Sequence, residues 1–341
     1  MRREAKAFYA VMRANPLTFV GFVLVAITVI LSVIVLVDPA LIVPYAATQD
    51  TGAYRAYPTI LQWPPSIAHP FGTDQGGRDI YSAVMLALPL DLMIGIGIAG
   101  FALIAGGALG LIAGFWDDPG TLGGACSVVI MRVTDVFLAF PSLVLALALV
   151  ASIGKGTIQA MIAIMLTWWP YYVRLVRGEV IAVKHLPYVT AARAAGVRET
   201  KILTRHVLRN VLEPVIVYFT LDIGTVLVIF STISFVGVGV PYPSSSPEWG
   251  SMMSFYQLYY PFQLYWWAIT FPALAIFLTV LSYSLLGDGL RDVLDPRSRR
   301  ALAESAAHEP PPEANVGEPP VLPLPPDRGP SPGMAADLGG T

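Results

Sequence analysis

Residues 92–116 read "LMIGIGIAGFALIAGGALGLIAGFW", 25 residues without a charge. A bilayer core is about 30 Å thick, and a helix crosses it with roughly 20 apolar residues. The run therefore reads as a membrane-spanning helix and fixes the class of the chain. Gly106, Gly110 and Gly114 recur within it every four residues. On a helix they share one face and let another backbone come close. Two partners fit that face, a helix of the same chain or a second membrane subunit.

Five further spans can be marked on either side. The first is Leu17–Val37, and the third is Val136–Ile153, with Val128 an alternative start. The fourth is Gly156–Val173, the fifth Val215–Val236, interrupted by Asp222, and the sixth Leu264–Gly287. The whole chain of 341 residues is 55% hydrophobic and only 13% charged. A soluble domain carries about 25% charged residues. The fold class expected is an all-α integral membrane protein with six transmembrane helices. The basic start (Arg2, Arg3, Lys6, Arg13) before an apolar run is signal-like. The run exceeds the 7–15 residues of a cleaved signal, so Leu17–Val37 reads as a retained first helix.

Basic loops stay in the cytoplasm, and here they are one-sided. Eight fall before the fifth span: Arg174, Arg177, Lys184, Arg193, Arg198, Lys201, Arg205 and Arg209. With the N-terminal four, Arg132, Arg291, Arg297, Arg299, Arg300 and Arg328, one side holds 18 of the 21 Lys and Arg. Only Arg55, Arg78 and Lys155 fall on the other. Both termini are expected in the cytoplasm. Residues 1–16 form a short cytoplasmic segment and 17–37 the first span. Residues 38–90, with Pro39, Pro44, Pro58, Pro64, Pro65 and Pro70, form an extracytoplasmic loop or small element. Residues 91–297 form the core, with a basic cytoplasmic loop at 178–213. Residues 298–341 are a tail rich in proline and poor in large apolar groups, expected to be disordered.

Catalytic and cofactor signatures are missing. The sequence has no G-x-x-x-x-G-K-[ST] and no G-x-S-x-G. His69, His185, His206 and His308 show no metal-ligand spacing, and the single Cys126 reads as packing. No metal, cofactor, catalytic residue or nucleic-acid partner is expected. No internal repeat of the kind secondary carriers show is apparent. Asp222 is the one acid deep in a span. It reads either as lining a solute path or as a structural hydrogen bond to a neighbouring helix. Arg132 and Asp135, three apart, read as a structural pair. Trp168, Trp169, Tyr171, Tyr172, Tyr256, Tyr259, Tyr260, Tyr265, Trp266 and Trp267 read as an interfacial aromatic belt.

The basic loop contains "YVTAARAAGVRETKILTRH", Tyr188–His206. Ala191, Ala192, Ala194 and Ala195 favour a helix, and Gly196 fits its stop. Apolar Val197, Ile202, Leu203 and Val207 alternate with basic residues beyond it. Helix–glycine–helix on the cytoplasmic face suits two roles, resting on anionic lipid or docking a cytoplasmic protein.

Ala191-Ala192, Gly196 and His206 resemble the EAA loop of ABC-importer permeases. "HPFGTDQGGRDIYS" (69–82), "MRVTDVFLAFPSLVLAL" (131–147), "SFVGVGVPYPSSSPEWGSMM" (234–253) and "FPALAIFLTVLSYSLLGDGLRDVLDPR" (271–297) are similar to further blocks of one group. That group is the dipeptide/oligopeptide-type permeases (DppC/OppC), and the blocks follow its order from about residue 70 to 297. The resemblance implies the type I importer permease fold and a homologous second permease of the DppB/OppB type. It also implies two ATPases that bind ATP and Mg, and an extracytoplasmic substrate-binding protein. The solute implied is a di- or oligopeptide, with nickel complexes, glutathione or oligosaccharides as alternatives. It places Tyr188, Thr190, Ala191, Ala192, Arg193, Gly196 and His206 in the coupling helix that meets the ATPase. Two positions depart from the pattern: Thr190 stands where the family has Glu, and Arg209 stands where a Pro usually follows the His. Asp91 and Asp222 lie outside it.

Overall fold

A computed structural model describes residues 16–43, 64–74, 76–239, 242, 246–259 and 262–294. Expectations for residues 1–15, the middle of the 38–90 loop and the 298–341 tail fall outside those residues. The described residues form helices, and their only β feature is an isolated bridge between Thr73 and Asp79. In chain order these are α1 (Pro16–Val37), α2 (Ile80–Phe115), α3 (Leu122–Leu138), α4 (Ser142–Ile153) and α5 (Thr157–Lys184). Then come α6 (Pro187–Ala194), α7 (Glu199–Ile202), a π turn at Leu203–Val207, α8 (Leu208–Phe235), α9 (Trp249–Tyr259) and α10 (Phe262–Leu294).

Four stretches are long and apolar enough to cross a membrane: α1, α2, the run from α7 through α8, and most of α10. The third expected span is two helices. Pro141 has no N–H to donate and disfavours helical geometry at Phe140. Helices α3 and α4 therefore break there and bend by 85°. Taken together they make a fifth candidate. The fourth expected span lies in α5, whose 28 residues are long enough. Trp168, Trp169, Pro170, Tyr171, Tyr172, Arg174 and Arg177 make it too polar to join that set by composition.

Helix α2 begins at Ile80, well before the apolar run from Leu92, so the end of the 38–90 segment is helix. Asp79 sets the start. Its Oδ2 accepts the Ser82 N–H at 2.8 Å and the Ser82 hydroxyl at 2.7 Å, capping the first turn. Its Oδ1 lies 2.8 Å from His69 Nδ1 with both side chains buried. Asp74 accepts from Arg78 Nη1 at 2.9 Å, and Phe71 stacks on Phe271 with ring centroids 4.0 Å apart. These contacts fasten residues 69–79 onto the bundle beside α10.

Helix α2 is the centre of the core, packed on α5, α8 and α10. Its glycine face meets α5 of the same chain. A Cβ on Gly110 would lie 2.8 Å from the Val173 carbonyl, and one on Gly114 2.8 Å from Val180 Cβ. One on Gly106 would overlap the Trp169 carbonyl. That face is therefore filled within the subunit and is not free for a second one.

Three other readings need correction. Cys126 is exposed, because α3 turns Gly124 and Ser127 inward, with Ser127 Oγ donating to the Ala113 carbonyl at 2.7 Å. Asp135 pairs across helices with Arg174 at 2.7 Å, not with Arg132 on its own helix. The aromatic residues do not all form a belt. Trp168, Tyr172, Tyr256 and Trp267 are buried in the core, while Trp266 is exposed.

Candidate functional site

The basic loop folds as the alanines and glycine dictate. Pro187, which suits a first helical position, opens α6. At its other end the Gly196 N–H donates to the Arg193 carbonyl (3.0 Å) and the Val197 N–H to the Ala192 carbonyl (3.2 Å). These are the two reversed bonds of a Schellman stop, which needs a left-handed residue at its C′ position. Gly196 supplies it, with φ +76°. Arg193 then reaches over the turn to Glu199, with Nε–Oε1 2.8 Å and Nη2–Oε2 3.2 Å. The Glu199 carboxylate holds the Arg193 guanidinium further up than usual.

One side of this unit is anchored. Val189, Ile202 and Val207 are fully buried, in a cluster with Phe115 of α2, Val176, Val180 and Val183 of α5, and Val211 and Val215 of α8. Lys184, at the end of α5, pairs with Asp117 of the α2–α3 turn, where Arg177 also approaches at 3.8 Å. Asn210 donates to the Tyr188 hydroxyl at 2.9 Å and to the His206 carbonyl at 2.6 Å, tying α6 to the root of α8. The π turn carries the chain into α8 without a loop. Such turns occur mostly as insertions in α-helices.

The other side is open. Tyr188, Thr190, Ala191, Arg193, Ala194, Ala195 and Gly196 are exposed and Ala192 is half-buried. The Thr190 hydroxyl bonds back to the Leu186 carbonyl, at 3.4 Å. The structure thus brings Tyr188–Gly196 together as one surface and places half-buried His206 beside it, on the π turn. Glu199 and Asn210 complete the unit. Sequence reading passed over them, although an acid six residues after Arg193 across a glycine was visible.

Asp222 sits elsewhere, deep between α5 and α8. Its carboxylate accepts from Trp168 Nε1 (3.1 and 2.9 Å) and from the Tyr172 hydroxyl (2.9 Å). It is 3% exposed. Both oxygens are engaged inside the subunit, tying α5 to α8. Among the described residues no cluster of three or more His, Cys, Asp or Glu could hold a metal ion.

Comparison with known proteins gives the family. Residues 106–300 match the model of the binding-protein-dependent transport system inner membrane component. The probable D,D-dipeptide transport system permease protein DdpC of Escherichia coli K12 is 37% identical over 287 residues, 84% of this chain and 90% of that protein. The glutathione transport system permease protein GsiD of Escherichia coli O6:K15:H31 is 38% identical over 280 residues, 80% of this chain and 86% of that protein. A chain of the MetNI methionine ABC transporter, in inward-facing conformations, aligns with a TM-score of 0.48 and 16% identity, over 62% of this chain and 96% of that one. With more than half its length under the family model and two such relatives, the chain belongs to the inner membrane components of binding-protein-dependent transport systems, the ABC-importer permeases of the DppC/OppC type.

Proposed function

We propose that this permease forms half of a translocation path for di- or oligopeptides. In this reading the chain crosses the membrane six times, with both termini and the basic end of the bundle in the cytoplasm. Tyr188–Gly196 seats in a groove of one of two ATPases, which carry ATP and Mg. A homologous permease of the DppB/OppB type supplies the other half of the path. An extracytoplasmic binding protein delivers the solute. The observation that carries the reading is the two-sided build of the loop. Its apolar side is buried on α2, α5 and α8, and its other side presents small exposed residues. A push on that face reaches α5 and α8 through packed side chains. An ATPase dimer that binds one bundle arrangement more tightly than the other biases the equilibrium between them.

Thr190 takes the place of an acid, and the Arg193–Glu199 pair supplies a charge on the same surface. The test is reconstitution with the second permease, the ATPases and the binding protein, followed by ATP-dependent uptake of labelled dipeptides. Uptake that proceeds without ATPases, driven by an ion gradient, would refute the proposal. A second reading, glutathione as solute, draws on the relatives named as glutathione permeases. Ligand identification on the cognate binding protein separates the two.

A further inference from the structure

Two acids stand at the N-terminus of α9, at the end of the bundle opposite the basic loops. Asp91 comes from α2, and Glu248 directly precedes α9. Both are 0% exposed. Each uses one oxygen to cap α9: Asp91 Oδ2 accepts the Trp249 N–H at 3.0 Å, and Glu248 Oε1 accepts the Ser251 N–H at 2.7 Å. The other oxygen of each, Asp91 Oδ1 and Glu248 Oε2, is buried without a hydrogen-bond partner among the described residues. Two further buried hydroxyls, Ser231 Oγ and Ser234 Oγ, come from α8, with Ser234 beside Glu248. Ser231 packs its backbone against Gly250 in the same first turn of α9.

Among the described residues no base offsets the two acids. Helices α2 and α9, α8 beyond Arg209, α10 before Arg291 and the segment 236–248 contain no Lys, Arg or His. The ionisable groups around the pair are otherwise committed or neutral. Tyr242 and Tyr256 lie hydroxyl to hydroxyl at 3.1 Å. Arg78 is engaged with Asp74 and His69 with Asp79. Helix α8 offers no ionisable group beyond Asp222, and α10 offers Tyr265 and Tyr283 before Asp288. Two like charges enclosed together cannot both persist, and one of them takes up a proton.

We propose that Asp91 and Glu248 form a proton-binding site in which one carboxyl, kept neutral at physiological pH, donates to the other and so locks the start of α9 to α2. A proton suits the place better than a metal ion. The N-terminus of a helix is its positive end and repels cations. Only one oxygen per acid is free, and among the described residues no third His, Cys, Asp or Glu joins them. One proton turns one orphan acceptor into a donor for the other. Burial pushes the Glu248 carboxyl up to about 7, against the opposing pull of donors on Ser234, Ser251 and Gly250.

The test uses the complete transporter complex in lipid nanodiscs. Infrared spectra are recorded from roughly pH 5 to roughly pH 9, a window bracketing the neutral range in which perturbed carboxyls titrate, for wild type, E248Q, D91N and, as control, D222N. The expected result is a neutral-carboxyl carbonyl band at pH 7 in wild type and D222N that E248Q and D91N lack. Thermal unfolding supplies the second measurement. A carboxyl whose folded pKa is raised stabilises most at low pH and loses that contribution as pH rises through the folded value. The unfolding temperature of wild type should therefore fall across neutrality and that of E248Q should stay flat. E248Q keeps an oxygen for the Ser251 N–H, so it retains the cap. A wild type without the band overturns the proposal. So does an unfolding temperature that rises with Na⁺ or Ca²⁺ at constant ionic strength and ignores pH, which would assign the pair to a metal ion.

Discussion

Arg193 and Glu199 face each other across Gly196 through two contacts of 2.8 and 3.2 Å, closing the turn that ends α6. Both side chains are 45% exposed. Exposed ion pairs contribute about 0.2–1 kcal/mol, so the pair shapes the surface more than it stabilises the fold. The E199Q variant should unfold within about 1 kcal/mol of wild type and lose part of its ATP-driven uptake. Full uptake in E199Q, together with an unchanged ATPase response to the loaded binding protein, would remove the pair from the docking surface.

Gly196 has φ +76°, and a Cβ there would meet nothing within 4 Å. The restriction is therefore conformational and not steric. Asn tolerates the left-handed region and β-branched residues do not. G196N should keep uptake near wild type, while G196V should reshape the turn and uncouple ATP hydrolysis from transport. Equal uptake by both variants would show that the turn does not transmit the motion.

Asp222 joins α5 to α8 through Trp168 and Tyr172. A D222L change strands two buried donors, each costing about 1–3 kcal/mol. D222N keeps an acceptor oxygen and should lose much less. Thermal unfolding of the two variants checks this. If D222L unfolds like wild type but alters which solutes pass, the residue belongs to the path after all.

The α2–α5 contact has an internal control. Gly110→Ala puts a Cβ 2.8 Å from the Val173 carbonyl, whereas the same change at Gly100 meets nothing within 4 Å. Overpacking typically costs about 1–3 kcal/mol. Ala in place of Gly within a helix contributes roughly 0.5–1 kcal/mol of stability. G110A should therefore lower the unfolding temperature and G100A should hold or raise it. A matched response of the two variants would mean that the glycine face carries no close packing.

Much of this architecture is legible in the sequence because the bilayer imposes a length and a polarity on each helix. The runs at Leu17, Leu92, Val215 and Leu264 lie within helices long enough to cross. The alanine–glycine pattern at 191–196 is written locally, so α6 and its stop could be anticipated residue by residue. What stayed hidden depends on partners far apart in the chain. Asp222 reads as a lone acid until α5 brings Trp168 and Tyr172 alongside it. Asp135 has a neighbour in Arg132 but pairs with Arg174, 39 positions away. The start of α2 is set by Asp79 capping Ser82, which the hydropathy limit at Leu92 does not show.

The length of α2, one helix that carries Pro89 near its N-terminal end, has a mechanical consequence. Its 36 residues make a rod of roughly 54 Å at 1.5 Å per residue, well beyond the hydrocarbon layer. Along three successive turns its glycines lie tight against α5, on the backbone of Trp169 and Val173 and on the side chain of Val180. Two rods joined in that way cannot slide or roll past each other separately. A tilt imposed on α5 at the Lys184 end therefore carries the glycine-bearing half of α2 with it.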